Sequence, residues 1–153
     1  MALTTFQGPV RSLGGIYQQG PAAVVAISSS TTLSPAAHGG RIITVGGALA
    51  ATTTLTLPAI NVSSNSVTSG PGQDPNTANN EGVSYTIWVP ATITTSTLKI
   101  AAQGGDFFIG TLIGVDTDSS DAVAAYHAFA SDTFDFINLN GGTTGGVAGT
   151  WIQ

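Results

Sequence analysis

Charged side chains are so scarce in this sequence that the ordinary amphipathic helix is closed to it as a building unit. Asp, Glu, Lys and Arg together make up 7% of its 153 residues, against about a quarter in a typical soluble domain. Thr, Ser, Gly and Ala dominate instead, and the residues that usually populate the solvent face of a helix are sparse. Such a chain reads as strands. Segments near 22–28, 41–46, 53–57, 83–89, 97–102, 107–114, 122–129, 133–139 and 147–152 are each bounded by Gly, Pro, Asn or Asp, the punctuation expected between short strands. Thr54-Leu55-Thr56-Leu57, Ser84-Tyr85-Thr86-Ile87-Trp88-Val89 and Thr133-Phe134-Asp135-Phe136-Ile137 alternate, so one face of each is expected in a core and the other outside it. Segment 122–129 is Ala-rich and is open to a short helix by propensity.

The length is that of one domain, large enough to bury a continuous core without staples. With no cysteine, disulfides and thiolate metal sites are excluded. The three cations, Arg11, Arg41 and Lys99, oppose eight carboxylates, for a net charge of −5. That argues against nucleic acid and against an anionic membrane, because phosphate binding takes a cluster of cations. The apolar runs, such as Ala22 to Ile27, are of strand length, short of the eighteen or so residues of a membrane-spanning helix. The N-terminus lacks the basic start and long apolar stretch of a signal peptide, so no targeting address is expected there. A surface so poor in charge has little to resist association, and much of it is expected to be covered by partners.

Three stretches break the strand pattern. Residues 1–21 carry Gly8-Pro9, Gly14-Gly15 and Gly20-Pro21 around Val10, Leu13, Ile16 and Tyr17, and read as an extended arm that becomes ordered against a partner. Residues 22–153 form the body. Within it, residues 61–82 make an Asn/Ser/Gly loop of a length usually reserved for function. In the third stretch, 138–149, Asn140-Gly141 suits a tight turn with positive φ.

Candidate chemistry is thin. His38 sits in a Pro-Gly turn, His127 lies beside Tyr126 and Phe129, and no Gly-x-Ser-x-Gly elbow is present, so both histidines read as structural. No catalytic residue is assigned, and no cofactor is expected. Asp116, Asp118 and Asp121 form an acidic cluster without the Gly and Glu spacing of an EF-hand, and read as a solvated turn. Two histidines without cysteine make no zinc pattern. Asn61-Val62-Ser63 has the form of a glycosylation acceptor, which lacks meaning without secretion. Tyr85, Trp88 and Trp151 raise the prospect of a carbohydrate-stacking platform. Tyr85 and Trp88 are three apart in a strand and point to opposite faces, so those two cannot share one. Phe107 and Phe108 should likewise face opposite ways.

The order of motifs carries a resemblance. Thr31 to Val45, with Thr32-Leu33-Ser34-Pro35 and Gly39-Gly40-Arg41 ahead of an apolar strand, is followed by Thr54-Leu55-Thr56-Leu57-Pro58-Ala59. Then come Gly82-Val83-Ser84-Tyr85-Thr86-Ile87-Trp88-Val89, Asp106-Phe107-Phe108-Ile109-Gly110 and the closing Gly141-Gly142-Thr143-Thr144-Gly145-Gly146-Val147-Ala148-Gly149-Thr150-Trp151. This order resembles the small decoration, or cement, proteins of tailed phages over about four-fifths of the chain. His38-Gly39, Arg41 in place of a common Lys, and the loop at 61–82 depart from the family pattern. The resemblance implies an all-β fold, a single small β-barrel or jelly-roll-like sandwich with an extended N-terminal arm, assembled as a homotrimer on the outer surface of the virion. Its implied partner is the major capsid protein. The arm, through Val10, Arg11, Leu13, Ile16 and Tyr17, is the expected capsid-binding element, and the expected role is structural rather than enzymatic. The alternative is a receptor- or glycan-binding module of a head or tail fibre.

Overall fold

A computed structural model of the chain describes residues 12–14, 20, 23–60, 80, 82–115, 123–128, 133–142 and 145–153. Among these residues ten strands and a single helical turn follow in order. The first six strands go alternately to two sheets. Strands β1 (Val24–Ala26), β3 (Ile42–Thr44) and β5 (Thr86–Trp88) lie side by side in one, and β2 (Thr31–Thr32), β4 (Thr53–Thr56) and β6 (Leu98–Ala101) in the other. All these pairings are parallel. Each pass of the chain therefore lays one strand on each sheet, and three passes stack as rungs. Antiparallel strands close the stack: β10 (Trp151–Ile152) pairs with β5 and β9 (Phe136–Leu139) with β6.

The stacking explains the sequence pattern. In-register partners place Val25, Ile43, Ile87 and Ile152 in one row across the first sheet, and Thr31, Leu55, Ile100 and Ile137 in one row across the second. Because side chains alternate along a strand, these rows face inward together. Ile43, Ile87, Val45 and Val89 meet Leu55, Leu98, Ile100 and Leu139 in a single core. Burying such side chains at about 25 cal/mol per Å² of apolar area holds the two sheets face to face.

Local chemistry fixes the corners. After β2, the Ser34 hydroxyl caps the helical turn α1 (Pro35–His38) by accepting the Ala37 N–H at 3.3 Å, with Pro35 in the first turn. The His38 Nδ1 accepts the Ser34 N–H at 2.9 Å, so this histidine ties the turn together, as its setting in the sequence suggested. Ala59, Ile60 and Asn80 are tied together and to the 103–106 turn at a neck. Asn80 Nδ2 donates to the Ala59 carbonyl at 2.7 Å, Ala59 N–H donates to Gln103 Oε1 at 3.2 Å, and Ile60 N–H donates to Asp106 Oδ2 at 2.8 Å.

Beyond β6 and β9 the antiparallel ladder runs on. Ala102 N–H donates to the Asp135 carbonyl and Phe108 N–H to the Phe134 carbonyl, both at 2.8 Å. From there β7 (Gly110–Val115) and β8 (Val123–Ala128) continue as a two-stranded ribbon paired along its full length. These are the longest strands of the described structure, and they pair only with each other.

All nine expected strand segments contain a strand, including 122–129, where pairing with β7 overrides Ala-based helix propensity. The all-β expectation holds, as does a sandwich of two sheets over one core. Both sheets are open, and the first three strands of each are parallel, an arrangement that stops short of a closed barrel or jelly roll. Of the expected arm, only residues 12–14 and 20 lie within the described residues.

Candidate interaction surface

The residues alternate with those of the core rows, so the opposite set must face out. On the first sheet this set is Ala26, Thr44, Trp88 and Trp151, consecutive partners across four strands. Trp88 is 39% exposed and Trp151 53%. Two tryptophans thus stand directly opposite each other on a face whose next partners are a threonine and an alanine. Tyr85 points the other way and packs on the core, as its separation from Trp88 required. The aromatic partner of Trp88 is Trp151, which no local spacing could reveal, because the pair exists only through the docking of the C-terminal strand against β5.

The second sheet has its own outer row, with Thr54, Lys99 and Asn138 as partners and Ala101 opposite Phe136. Lys99 reaches over the Phe136 ring, its ammonium 3.9 Å from the centroid, a cation–π contact on an exposed face. Phe134, two residues before Phe136, and Phe107 are also exposed, while Phe108 packs against the core. The expected opposition of Phe107 and Phe108 is therefore present. Exposed apolar groups continue at Ile109, just ahead of β7, and on β7 at Ile113.

A hollow of about 70 Å³ lies at the neck between Leu57, Pro58, Ile60 and the 102–108 segment, far below the ~300 Å³ at which ligand pockets begin. His127 Nδ1 is 3.2 Å from Thr111 Oγ1 on an exposed face of the ribbon, which places it outside any packed core, in contrast to its expected packing role. Among the described residues no group of three metal-ligating side chains is found, and no helix is long and apolar enough to cross a membrane. The Asp116–Asp121 cluster lies outside the described residues. So do Val10, Arg11, Ile16 and Tyr17 of the expected partner-binding set, whereas Leu13 is described and is 87% exposed.

One buried group is out of keeping with the rest. The Tyr85 hydroxyl is enclosed, with no hydrogen-bond partner among the described residues, and burial pushes its ionisation above the usual 10.0. An unmet buried hydroxyl costs stability. Tyr85→Phe is therefore expected to leave stability unchanged or to raise it by up to about 1 kcal/mol in denaturant titrations; a loss of that size would mean that the hydroxyl has a partner. The sign with pH follows from the same burial. The folded state holds the phenolic proton more tightly than the unfolded chain, so this contribution is intact below pH 10 and is lost as the pH climbs through the raised value. Tyr85→Phe should lack that alkaline loss.

No family model, curated protein or solved structure matches the chain.

Proposed function

We propose that this chain is a structural virion protein that decorates the outside of a tailed-phage head and stabilises it by bridging major capsid subunits, without turning over a substrate. The observation that carries the reading is the pairing of few charges with exposed aromatic rows on both outer faces, Trp88 with Trp151 and Phe136 with Phe134. Apolar faces of that kind suit protein partners. The order of motifs shared with phage decoration proteins supplies the particular partner. Repetition on a symmetric lattice adds avidity, so modest contacts per copy suffice.

In this reading the arm, with Val10, Arg11, Leu13, Ile16 and Tyr17, meets the shell, and the protein assembles as a homotrimer with its body outward. Neither nucleic acid nor membrane is a partner, and no cofactor takes part. The jelly-roll-like description of the body belongs to the same proposal and reduces to what such folds share with it, two sheets over one core. The test is binding to undecorated phage capsids, comparing the full chain with one lacking residues 1–20 by sedimentation and by the heat resistance of the shell. The full chain is expected to bind and to raise that resistance, and the shortened one to do neither. Failure of both to bind sinks the reading.

The adjacent Trp88 and Trp151 favour one second reading, a glycan- or receptor-binding module of a head or tail fibre. A ring pair on an uncharged row, beside the Thr44 hydroxyl, offers stacking surface for a sugar. A glycan array probed with the full chain separates the two, since a pure cement protein should give no signal.

A further inference from the structure

We propose that Asn140-Gly141 is a covalent modification site, at which the asparagine loses ammonia to the chain's own backbone, and that the fold around Gly141 gates the reaction. Of the seven asparagines, Asn140 alone is followed by glycine. Asparagine is a thermolabile residue, and a glycine after it carries no side chain to hinder closure of a ring. The reaction balances with water as its only co-reactant. Hydroxide takes the Gly141 N–H proton, the nitrogen attacks Asn140 Cγ, and Nδ2 leaves as ammonia with a proton from water. The new N–Cγ bond closes a succinimide. Water then adds at Cγ, breaking that bond to leave aspartate, or at the Asn140 main-chain carbonyl, breaking the original peptide bond to leave isoaspartate.

Three contacts hold the attacking nitrogen back. Gly141 N–H donates to the Gly145 carbonyl, so the proton that must leave points at a carbonyl oxygen rather than at water. Asn140 Oδ1 accepts the Gly142 N–H at 3.0 Å, which fixes the side-chain amide. The Ile93 carbonyl crowds Gly141 from the other side, and Ile93 is itself anchored, its N–H donating at 2.9 Å to the carbonyl of the buried Gly146. Asn140 is exposed, so hydroxide reaches the site as soon as these contacts open. The two products then differ in what they do to the fold. Both add a carboxylate, but aspartate keeps the oxygen that the Gly142 N–H needs. Isoaspartate inserts a carbon into the main chain between Gly141 and Leu139, which is buried in the core, and so makes the opening permanent.

The test follows the full chain by peptide mapping and mass spectrometry at mildly alkaline pH, folded in buffer and unfolded in guanidinium, alongside hydrogen exchange of the Gly141 amide. Exchange and ring closure share their first step, removal of the same proton by hydroxide, so both wait on the same local opening. Where reclosing outpaces both, the folded chain is expected to deamidate at Asn140 at least about tenfold more slowly than the unfolded one, and that protection should match the exchange protection of the Gly141 amide to within about threefold. Gly145→Ala, which puts a side chain at a φ of 77°, should speed both processes about tenfold. The wild-type comparison decides the matter if that variant does not fold. Equal rates in the folded and unfolded chains, an Asn140 that stays intact even when unfolded, or a Gly145→Ala chain that exchanges faster without deamidating faster overturns the proposal.

Discussion

Ile87→Ala is expected to destabilise the protein by about 3 kcal/mol, within the range for emptying a buried isoleucine site. Ile87 is fully enclosed and sits mid-row, with Ile43 on one side and Ile152 on the other. Its side chain therefore bridges the last parallel rung and the antiparallel strand that closes the stack. In a stacked architecture each rung leans only on its neighbours, so a cavity here weakens two interfaces together. Domains of this size are stable by about 5–15 kcal/mol, and the midpoint of thermal unfolding should fall by roughly 10 °C. Ile109→Ala is the control: the residue is 71% exposed, and its loss should move the midpoint by no more than a degree or two. Equal effects from the two substitutions would show that the row through Ile87 is not the core.

What the sequence disclosed follows from the range over which each feature acts. Strand segments are local, and bounding Gly, Pro, Asn and Asp, helped by alternations such as Thr54-Leu55-Thr56-Leu57, place a strand in each of the nine. Two-residue β2 has no alternating flank to mark it, whereas two-residue β10 lies inside the apolar segment 147–152. Sheet membership is set by partners far apart in the chain, which no local pattern gives, and the two open sheets match the all-β expectation without reaching the closed barrel or jelly roll. A signal was nonetheless present. Val25-Ala26-Ile27, Ile43-Thr44-Val45 and Ile87-Trp88-Val89 occupy equivalent rung positions, as do Thr31-Thr32-Leu33 and Leu55-Thr56-Leu57. These echoes mark a stacked repeat. They escape notice because residues 61–79 fall between the second and third rungs and destroy any fixed period. The candidate surface divides in the same way. That Trp88 faces away from Tyr85 is local and was legible, whereas the meeting of Trp88 with Trp151 depends on the closing strand.

The second large effect is expected at Gly141, where backbone conformation and packing act together. Its φ of 71° lies in the left-handed region, which costs a side-chain-bearing residue roughly 1–2 kcal/mol. A Cβ there would also fall onto the Ile93 carbonyl oxygen and against the Thr92 side chain. Carbonyl oxygens cannot rotate aside as a side chain can, and the Ile93 backbone is committed, its N–H donating to the Gly146 carbonyl at 2.9 Å while its side chain is buried in the core. Relief must come from displacing the turn that leads into the strand carrying Trp151. Gly141→Ala is therefore expected to cost about 3 kcal/mol, the conformational penalty plus a comparable overpacking penalty. Gly104→Ala separates the two contributions. Gly104 has nearly the same φ, 70°, but nothing within 4 Å of the added carbon, so only the conformational part, about 1 kcal/mol, should appear. Denaturant titration of both variants gives the difference directly. Matching losses would mean that the turn yields freely and that Ile93 does not brace it; a Gly141→Ala loss at least about 1 kcal/mol greater, with a red or blue shift in Trp151 emission, would tie this turn to the placement of the tryptophan pair.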